Sequence, residues 1–169
     1  SPIVFTGGRG SGKTHVFKYF GIDAMKQRAE TNNRNIYDAV IDEKYIGIYI
    51  RFDGPQLQNM QKTKVEEEQW IIIFTHYFEL VIAESFLTSV YDLLCAKSEP
   101  DRAKMNTVVQ KYEELFHVEK QDTDIEKRYK NLVNTLGEDI NYVAHFKSRA
   151  AFGNKDFKPR EIYVPGQLS

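Results

Sequence analysis

The residues best suited to chemistry stand near the start of the chain, where four of its ten glycines fall between positions 7 and 12. Residues 7–14 read Gly-Gly-Arg-Gly-Ser-Gly-Lys-Thr and satisfy the pattern G-x-x-x-x-G-K-[ST], with Gly7 and Gly12 as its fixed glycines. Glycines let a loop curl until several backbone amides converge, and converging amides bind polyphosphate. We therefore predict a phosphate-binding loop here.

Each position of this loop has an expected role in a nucleotide site. We expect Lys13 to reach the β- and γ-phosphates and stabilise their charge, and the Thr14 hydroxyl to ligate Mg²⁺. His15 follows the motif and either approaches the nucleotide or packs on the next helix. Arg9 either touches a phosphate or a neighbouring subunit, or faces solvent. The loop positions expected to bind the phosphates are Gly7, Gly8, Arg9, Gly10, Ser11 and Gly12.

The expected cofactors are ATP and Mg²⁺. Guanine selection in GTPases uses Asn-Lys-x-Asp, and the nearest approach here, residues 154–157, has its acid one place too early. The pattern therefore favours ATP over GTP.

A second acidic motif, which would help hold Mg²⁺ and place the attacking water, has no strong match. Asp53 follows a β-rich run and is one candidate catalytic acid, although with Gly54 and Pro55 it also fits a simple turn. Residues 39–43, ending in Asp-Glu, are a weaker candidate. We expect the acid to lie beyond Ser169, in a longer protein of which this chain is the N-terminal part.

Short apolar runs predict the strands that would position the loop. Ile3–Phe5 precedes it as a buried strand, and Lys13–Arg28 has the spacing of a helix. Tyr45–Phe52 reads as a second strand. The predicted fold class is α/β: a P-loop nucleotide-binding domain whose parallel sheet is flanked by helices, with the first helix covering one face.

The remainder is predicted to be mostly helical. A wide apolar stripe predicts a long, mostly buried helix over Val65–Cys95, and Pro100 suits the start of another near Asp101. Apolar spacing then predicts a helical hairpin from helices near 101–116 and 125–146, before a strand at 161–164. We expect one ATPase domain over 1–169, divided into a β-α-β-α core (1–98), a helical hairpin (99–150) and a returning strand (151–169).

Composition excludes several classes of function. With 23 Lys+Arg against 24 Asp+Glu, the chain has no global positive field for nucleic acid. The longest run of large apolar residues, Trp70–Phe74, lies near Glu79 and Glu84, which predicts no membrane span and a cytoplasmic protein.

Individual side chains are expected to be structural. Cys95 lies in an apolar pattern and is predicted to be a buried, inert thiol. The four histidines lack paired metal-ligand spacing, so no zinc site is predicted. Residues 126–128, Glu-Lys-Arg, are expected on an exposed helix face.

The loop at Gly7–Thr14, the run Tyr45–Arg51 and the aromatic helix around Trp70 and Tyr77 together resemble AAA/STAND-lineage ATPases. They are most similar to the bacterial origin-recognition-complex-like branch. This resemblance implies an ATP-driven switch or motor, usually oligomeric, with Lys13 and Thr14 in the phosphate and Mg²⁺ roles. It also implies self-association or a protein partner, and DNA binding through regions not present here.

Two other functions stay open. A nucleotide-gated interaction module would bind ATP without turnover and dock a partner on the helical hairpin. A small-molecule kinase would need an arginine-rich lid, whereas Arg102, Arg128 and Arg149 are scattered.

Overall fold

A computed structural model describes residue 6 and residues 8–50 and 67–145, and these contain six α-helices. The helices are α1 (Lys13–Phe20), α2 (Ile22–Thr31), α3 (Ile36–Glu43), α4 (Glu67–Cys95), α5 (Arg102–Leu115) and α6 (Ile125–Ala144). No strand occurs among these described residues. The predicted α/β fold with a parallel sheet is therefore wrong for the part of the chain that the structure describes.

The physical reason why the strand prediction failed is clearest at Tyr45–Ile50, part of the predicted second strand. Within the described residues its main chain contacts a helix junction: the Gly47 carbonyl accepts a 2.7 Å hydrogen bond from the Ile22 amide. β-Branched and aromatic residues favour any half-buried surface on which they pack, so their enrichment does not by itself require a sheet. The predicted strands at 3–5 and 161–164 lie outside the described residues.

The predicted first helix, Lys13–Arg28, is two helices separated at Gly21. Gly21 has φ −70° and ψ 150°, an extended conformation that ends α1 and precedes α2. Glycine stabilises a helix interior less than any residue except proline, so interrupting the helix at Gly21 costs little free energy. No residue of α1 is buried, so the prediction that this helix covers a sheet face is also wrong.

Helix α3 differs from the sequence analysis, which predicts no helix here, and it contains residues 39–43, the weaker candidate for the acidic motif. Asn35 caps its N-terminus, its side-chain oxygen accepting a 2.8 Å bond from the Tyr37 amide. Helices α2 and α3 share a small core of Met25, Ala29, Ile36 and Ala39. This core extends to the C-terminal end of α4 through Leu93 and Ala96.

The main core lies between α4, α5 and α6, close to the helix positions predicted from apolar spacing. Its fully buried large side chains are Ile73, Leu80, Leu87, Val109, Leu132, Leu136 and Val143. Tyr91 stacks on Tyr129 with 3.6 Å between ring centroids, and Gly137 lies near Glu84. Helix α6 therefore runs antiparallel to α4. The division of the chain at 98 and 150 stays a prediction, and residues 151–169 lie outside the described residues.

Helix α4 has apolar residues around most of its circumference. Within the described residues, Trp70–Cys95 is long and apolar enough to cross a membrane, with a mean hydropathy of 1.5. By length and composition, this helix could therefore cross a membrane, whereas the sequence analysis predicts no membrane span. Core helices of globular proteins pass the same test, and α4 packs against both α5 and α6, so the result does not assign it to a membrane.

Two side-chain predictions are corrected. Cys95 is exposed rather than buried, because it lies at the end of α4. Partial desolvation of its thiol, together with the Asp92 and Glu126 carboxylates, nevertheless raises the pKa of Cys95. Arg128 is buried rather than exposed, because it is paired with Glu113 of α5.

Candidate phosphate-binding site

The loop before α1 contains two glycines in the left-handed backbone region. Gly10 has φ 86° and Gly12 has φ 80°, conformations that side chains with a Cβ adopt only with strain. A Cβ built at Gly8, Gly10 or Gly12 would meet no atom within 4 Å, so open space borders the loop at all three positions. The backbone therefore favours glycine at position 12, a fixed glycine of the motif, and at position 10.

Lys13 folds back over this loop from the first turn of α1. Its Nζ donates hydrogen bonds to the Gly8 carbonyl at 2.8 Å and to the Ser11 hydroxyl at 2.9 Å. The side chain is half-buried, whereas the loop residues around it are exposed. The structure thus brings together three of the predicted phosphate-binding residues, with a positive charge at their centre.

The loop also presents the N-terminus of a helix. Gly12 is the N-cap residue of α1, has no side chain to cap the helix, and its carbonyl accepts from the His15 and Val16 amides. A helix offers no internal acceptor to its first amides, and its N-terminus carries a partial positive charge. These two properties favour an anion at this end of α1.

The other predicted site residues are placed as follows. Arg9, Thr14 and His15 are exposed, which leaves the Thr14 hydroxyl accessible to a cation. Gly7 and Asp53 lie outside the described residues, so their roles stay predictions. Among the residues that the structure describes, no group of three His, Cys, Asp or Glu side chains could hold a metal ion.

The alternative acids at the end of residues 39–43 are held elsewhere. Asp42 is paired with Arg34, and Glu43 lies 3.5 Å from Arg28, both within the α2–α3 region. These ion pairs satisfy the two carboxylates locally, which argues against a Mg²⁺ role for either.

A groove that sequence reasoning missed lies further along α1. Phe17, Phe20 and Gly21 form one side, and residues 47–50 form the other, enclosing about 420 Å³. The available signal was the spacing of Lys13, Phe17 and Phe20, which places all three on one helix face. The opposite wall, residues 47–50, is held by a tertiary contact with α2, which the spacing of residues along α1 does not reveal.

Comparison with known families adds an independent finding. A family model described as ORC-CDC6-like matches residues 1–167. The chain belongs to the ORC-CDC6-like family. Membership indicates an ATPase-related function, in agreement with the motif at residues 7–14. No curated protein and no solved structure matches the chain.

Proposed function

We propose that this ORC-CDC6-like chain binds ATP with Mg²⁺ through residues 7–14, as part of a larger AAA-like ATPase that drives a conformational switch or motor. The observation that carries the proposal is the position of Lys13. Its amine is held within a loop of left-handed glycines at an uncapped helix N-terminus. Positive charge, an uncapped helix N-terminus and open space coincide at this point, and all three favour the binding of an anion such as polyphosphate.

In this proposal, Lys13 exchanges its contacts with Gly8 and Ser11 for the β- and γ-phosphate oxygens. The Gly8 carbonyl and the Ser11 hydroxyl are neutral oxygens, and a charged phosphate oxygen is a stronger hydrogen-bond partner for an ammonium group than either of them. The exposed Thr14 hydroxyl would ligate Mg²⁺, and the exposed Arg9 and His15 would lie at the rim of the site.

Hydrolysis needs a group that orients the attacking water. Asp53 and acids in a longer protein are the remaining candidates, since Asp42 and Glu43 are already paired with arginines. We place this chain in the AAA/STAND lineage, near the bacterial origin-recognition-complex-like branch, with self-association or a protein partner. DNA binding would require regions not present here.

The test compares Lys13→Ala with Lys18→Ala, which removes a lysine from the same helix outside the motif. We expect isothermal titration calorimetry to show binding of Mg²⁺–ATP by the parent chain and by Lys18→Ala, and no binding by Lys13→Ala. An unchanged affinity in Lys13→Ala would refute the assignment of the loop.

The second candidate is a nucleotide-gated interaction module that binds ATP without turnover. The pairing of Asp42 and Glu43 is compatible with this function, because both carboxylates contact arginines of the α2–α3 region. Phosphate release from a longer protein containing this chain separates the two functions, since a binding module would release none. The kinase alternative is weakened because Arg128 is buried and paired with Glu113, and thus is not a lid arginine.

A further inference from the structure

Arg28 of α2 contacts the last turn of α1. Its Nη1 donates a 2.6 Å hydrogen bond to the Tyr19 carbonyl, and its Cζ lies 4.2 Å from the centroid of the Tyr19 ring. Tyr19 is the last residue but one of α1, and the last carbonyls of a helix have no donor within the helix. The C-terminus of a helix also carries a partial negative charge, which a nearby cation stabilises. Arg28 therefore holds the end of α1 that lies opposite to the glycine-rich loop.

The Arg28 side chain is itself held in place by the other helices. Met25 and Ala29, which flank it on α2, are buried in the small core that α2 shares with α3 and that extends to α4. The Arg28 Nη2 lies 3.5 Å from Glu43 Oε2 at the end of α3 and 3.4 Å from the Tyr45 hydroxyl oxygen. The guanidinium thus joins the end of α1 to α2, to α3 and to the segment that follows α3.

Helix α1 depends on such contacts because the protein core does not hold it. None of its eight residues is buried. Lys13, whose amine lies in the loop before the helix, belongs to the first turn of α1. At about 1.5 Å per residue, Lys13 lies roughly 9 Å along the axis from Tyr19. The orientation of so short a helix therefore determines where its first turn and Lys13 lie.

We propose, on the basis of the proposed ATP-binding function, that Arg28 is a positioning residue of the phosphate site at residues 7–14. Arg28 fixes α1 against α2 and α3, and α1 in turn fixes Lys13 and the helix N-terminus that bind the phosphates. Arg28 acts through α1, since its contacts lie at the other end of this helix. The apparent affinity for a ligand falls in proportion to the fraction of molecules whose site is correctly arranged. Loosening α1 therefore weakens binding without removing a phosphate contact.

Calorimetry on the 169-residue chain tests this role with Mg²⁺–ATP and with Mg²⁺–tripolyphosphate, which has phosphates but no base. We expect Arg28→Met to weaken the binding of both ligands by the same factor, about tenfold, because the change affects the phosphate site. Arg28→Lys keeps a cation beside the last carbonyls of α1 and should restore part of both affinities. Arg34→Met is the matched control: it removes another arginine of the α2–α3 region, which is paired with Asp42, and should change neither affinity.

A second variant covers the case in which Arg28→Met disturbs folding. Tyr19 is 55% exposed, so Tyr19→Leu, which removes the ring beside the guanidinium, should leave the fold intact. We expect this variant to weaken the binding of both ligands about threefold. Tyr37→Leu is its matched control, because the Tyr37 ring contacts a different cation, Lys97, and its removal should change neither affinity.

Three results would overturn the positioning role. The first is an unchanged affinity for both ligands in a folded Arg28→Met or in Tyr19→Leu, even if urea denaturation shows a loss of stability, because a purely structural arginine gives that pattern. The second is a loss confined to ATP, since tripolyphosphate would then still find its site correctly arranged. The third is an affinity in Arg28→Lys no higher than in Arg28→Met.

Failure of the ATP-binding function itself gives a different pattern. In that case the parent chain would bind neither ligand, or Lys13→Ala would bind both as well as the parent does. Binding that depends on Lys13 but not on Arg28 or Tyr19 would overturn the positioning role alone.

Discussion

Arg128 of α6 and Glu113 of α5 form a buried ion pair held at two points. The Arg128 Nε donates to Glu113 Oε1 at 2.9 Å, its Nη2 donates to Oε2, and its Nη1 donates to Asn106 Oδ1 at 2.6 Å. Only 3% of Arg128 is exposed. The hydrogen bonds to Glu113 raise the pKa of Arg128, so the guanidinium stays charged and fixes the two helices together.

Removing the guanidinium should therefore destabilise the helical core. Arg128→Met would leave the Glu113 carboxylate buried without its partner, and we expect a loss of about 3–5 kcal/mol in the free energy of unfolding. Urea denaturation followed by circular dichroism measures it. Lys127→Met is the control, because the Lys127 side chain is 71% exposed, and no measurable change is expected. The double variant Arg128→Met, Glu113→Met should recover most of the loss; if it is as unstable as the single variant, the unpaired-charge explanation is wrong.

The ion pair between Arg128 and Glu113 also shows which features of the fold the sequence alone could not predict. Apolar spacing was sufficient to place α4, α5 and α6, and α5 begins at Arg102, close to the start predicted near Asp101. The Asp101 side chain caps this helix. Charge pattern alone could not show that Arg128 faces Glu113, because fifteen residues separate them along the chain.

The errors near the N-terminus have a related cause. Tyr45–Ile50 has the composition of a strand but packs against the junction of α1 and α2, a tertiary arrangement that composition does not encode. Helix α3 is only eight residues long, too short for periodicity to distinguish it from a strand. The motif gives a sequence pattern from which the candidate loop residues are predicted, whereas no sequence pattern marks the groove wall.

A second prediction concerns pH and His76, which is 4% exposed in α4. Burial lowers the pKa of His76 to about 4, although the nearby Glu79 carboxylate opposes the shift. Since the unfolded chain has a histidine pKa of about 6.5, only the unfolded state binds this proton between about pH 6.5 and pH 4. The free energy of unfolding that depends on a neutral His76 is therefore fully present above pH 6.5. It falls by up to about 3 kcal/mol as the pH decreases through this window.

Urea denaturation at pH 7, 6 and 5 tests this sign. We expect His76→Gln to lose less stability than the parent between pH 7 and pH 5, with His145→Gln, at the exposed end of α6, as the substitution control. Burial raises the pKa of Glu84, which acts in the opposite direction, so the comparison is between variant and parent. Equal slopes for His76→Gln and the parent would contradict the assignment.

A third prediction follows from the backbone of the glycine-rich loop that precedes α1. Alanine at Gly10 or Gly12 would have to adopt a left-handed conformation, at a cost of roughly 1–2 kcal/mol. Gly8 lies in the same loop without a left-handed φ and with open space around it, so Gly8→Ala is the matched control. We expect Gly10→Ala and Gly12→Ala to weaken Mg²⁺–ATP binding about tenfold or more in calorimetry, and Gly8→Ala to have the smallest effect. The reverse order would show that loop strain does not govern binding.

The last prediction concerns the contact between Gly47 and the α1–α2 junction. In Gly47→Ala the new methyl group would lie 1.9 Å from the Phe20 carbonyl oxygen, a backbone atom that cannot rotate away. Residues 45–50 must then move off the junction and lose the bond between the Ile22 amide and the Gly47 carbonyl. We expect a lower free energy of unfolding and faster exchange of the Ile22 amide proton, measured by hydrogen–deuterium exchange.

Gly137→Ala is the matched control for this change. Gly137 lies inside α6 with its nearest neighbour, Glu84 Oε1, 3.8 Å from the added carbon, so a methyl group fits there without displacement. Alanine favours a helix interior over glycine by up to about 1 kcal/mol, so this variant should be unchanged or more stable. If both alanine variants changed the free energy of unfolding in the same direction, position 47 would require glycine for its conformational flexibility. Opposite signs would show that the absence of a side chain at position 47 allows the segment to approach α1 and form the groove.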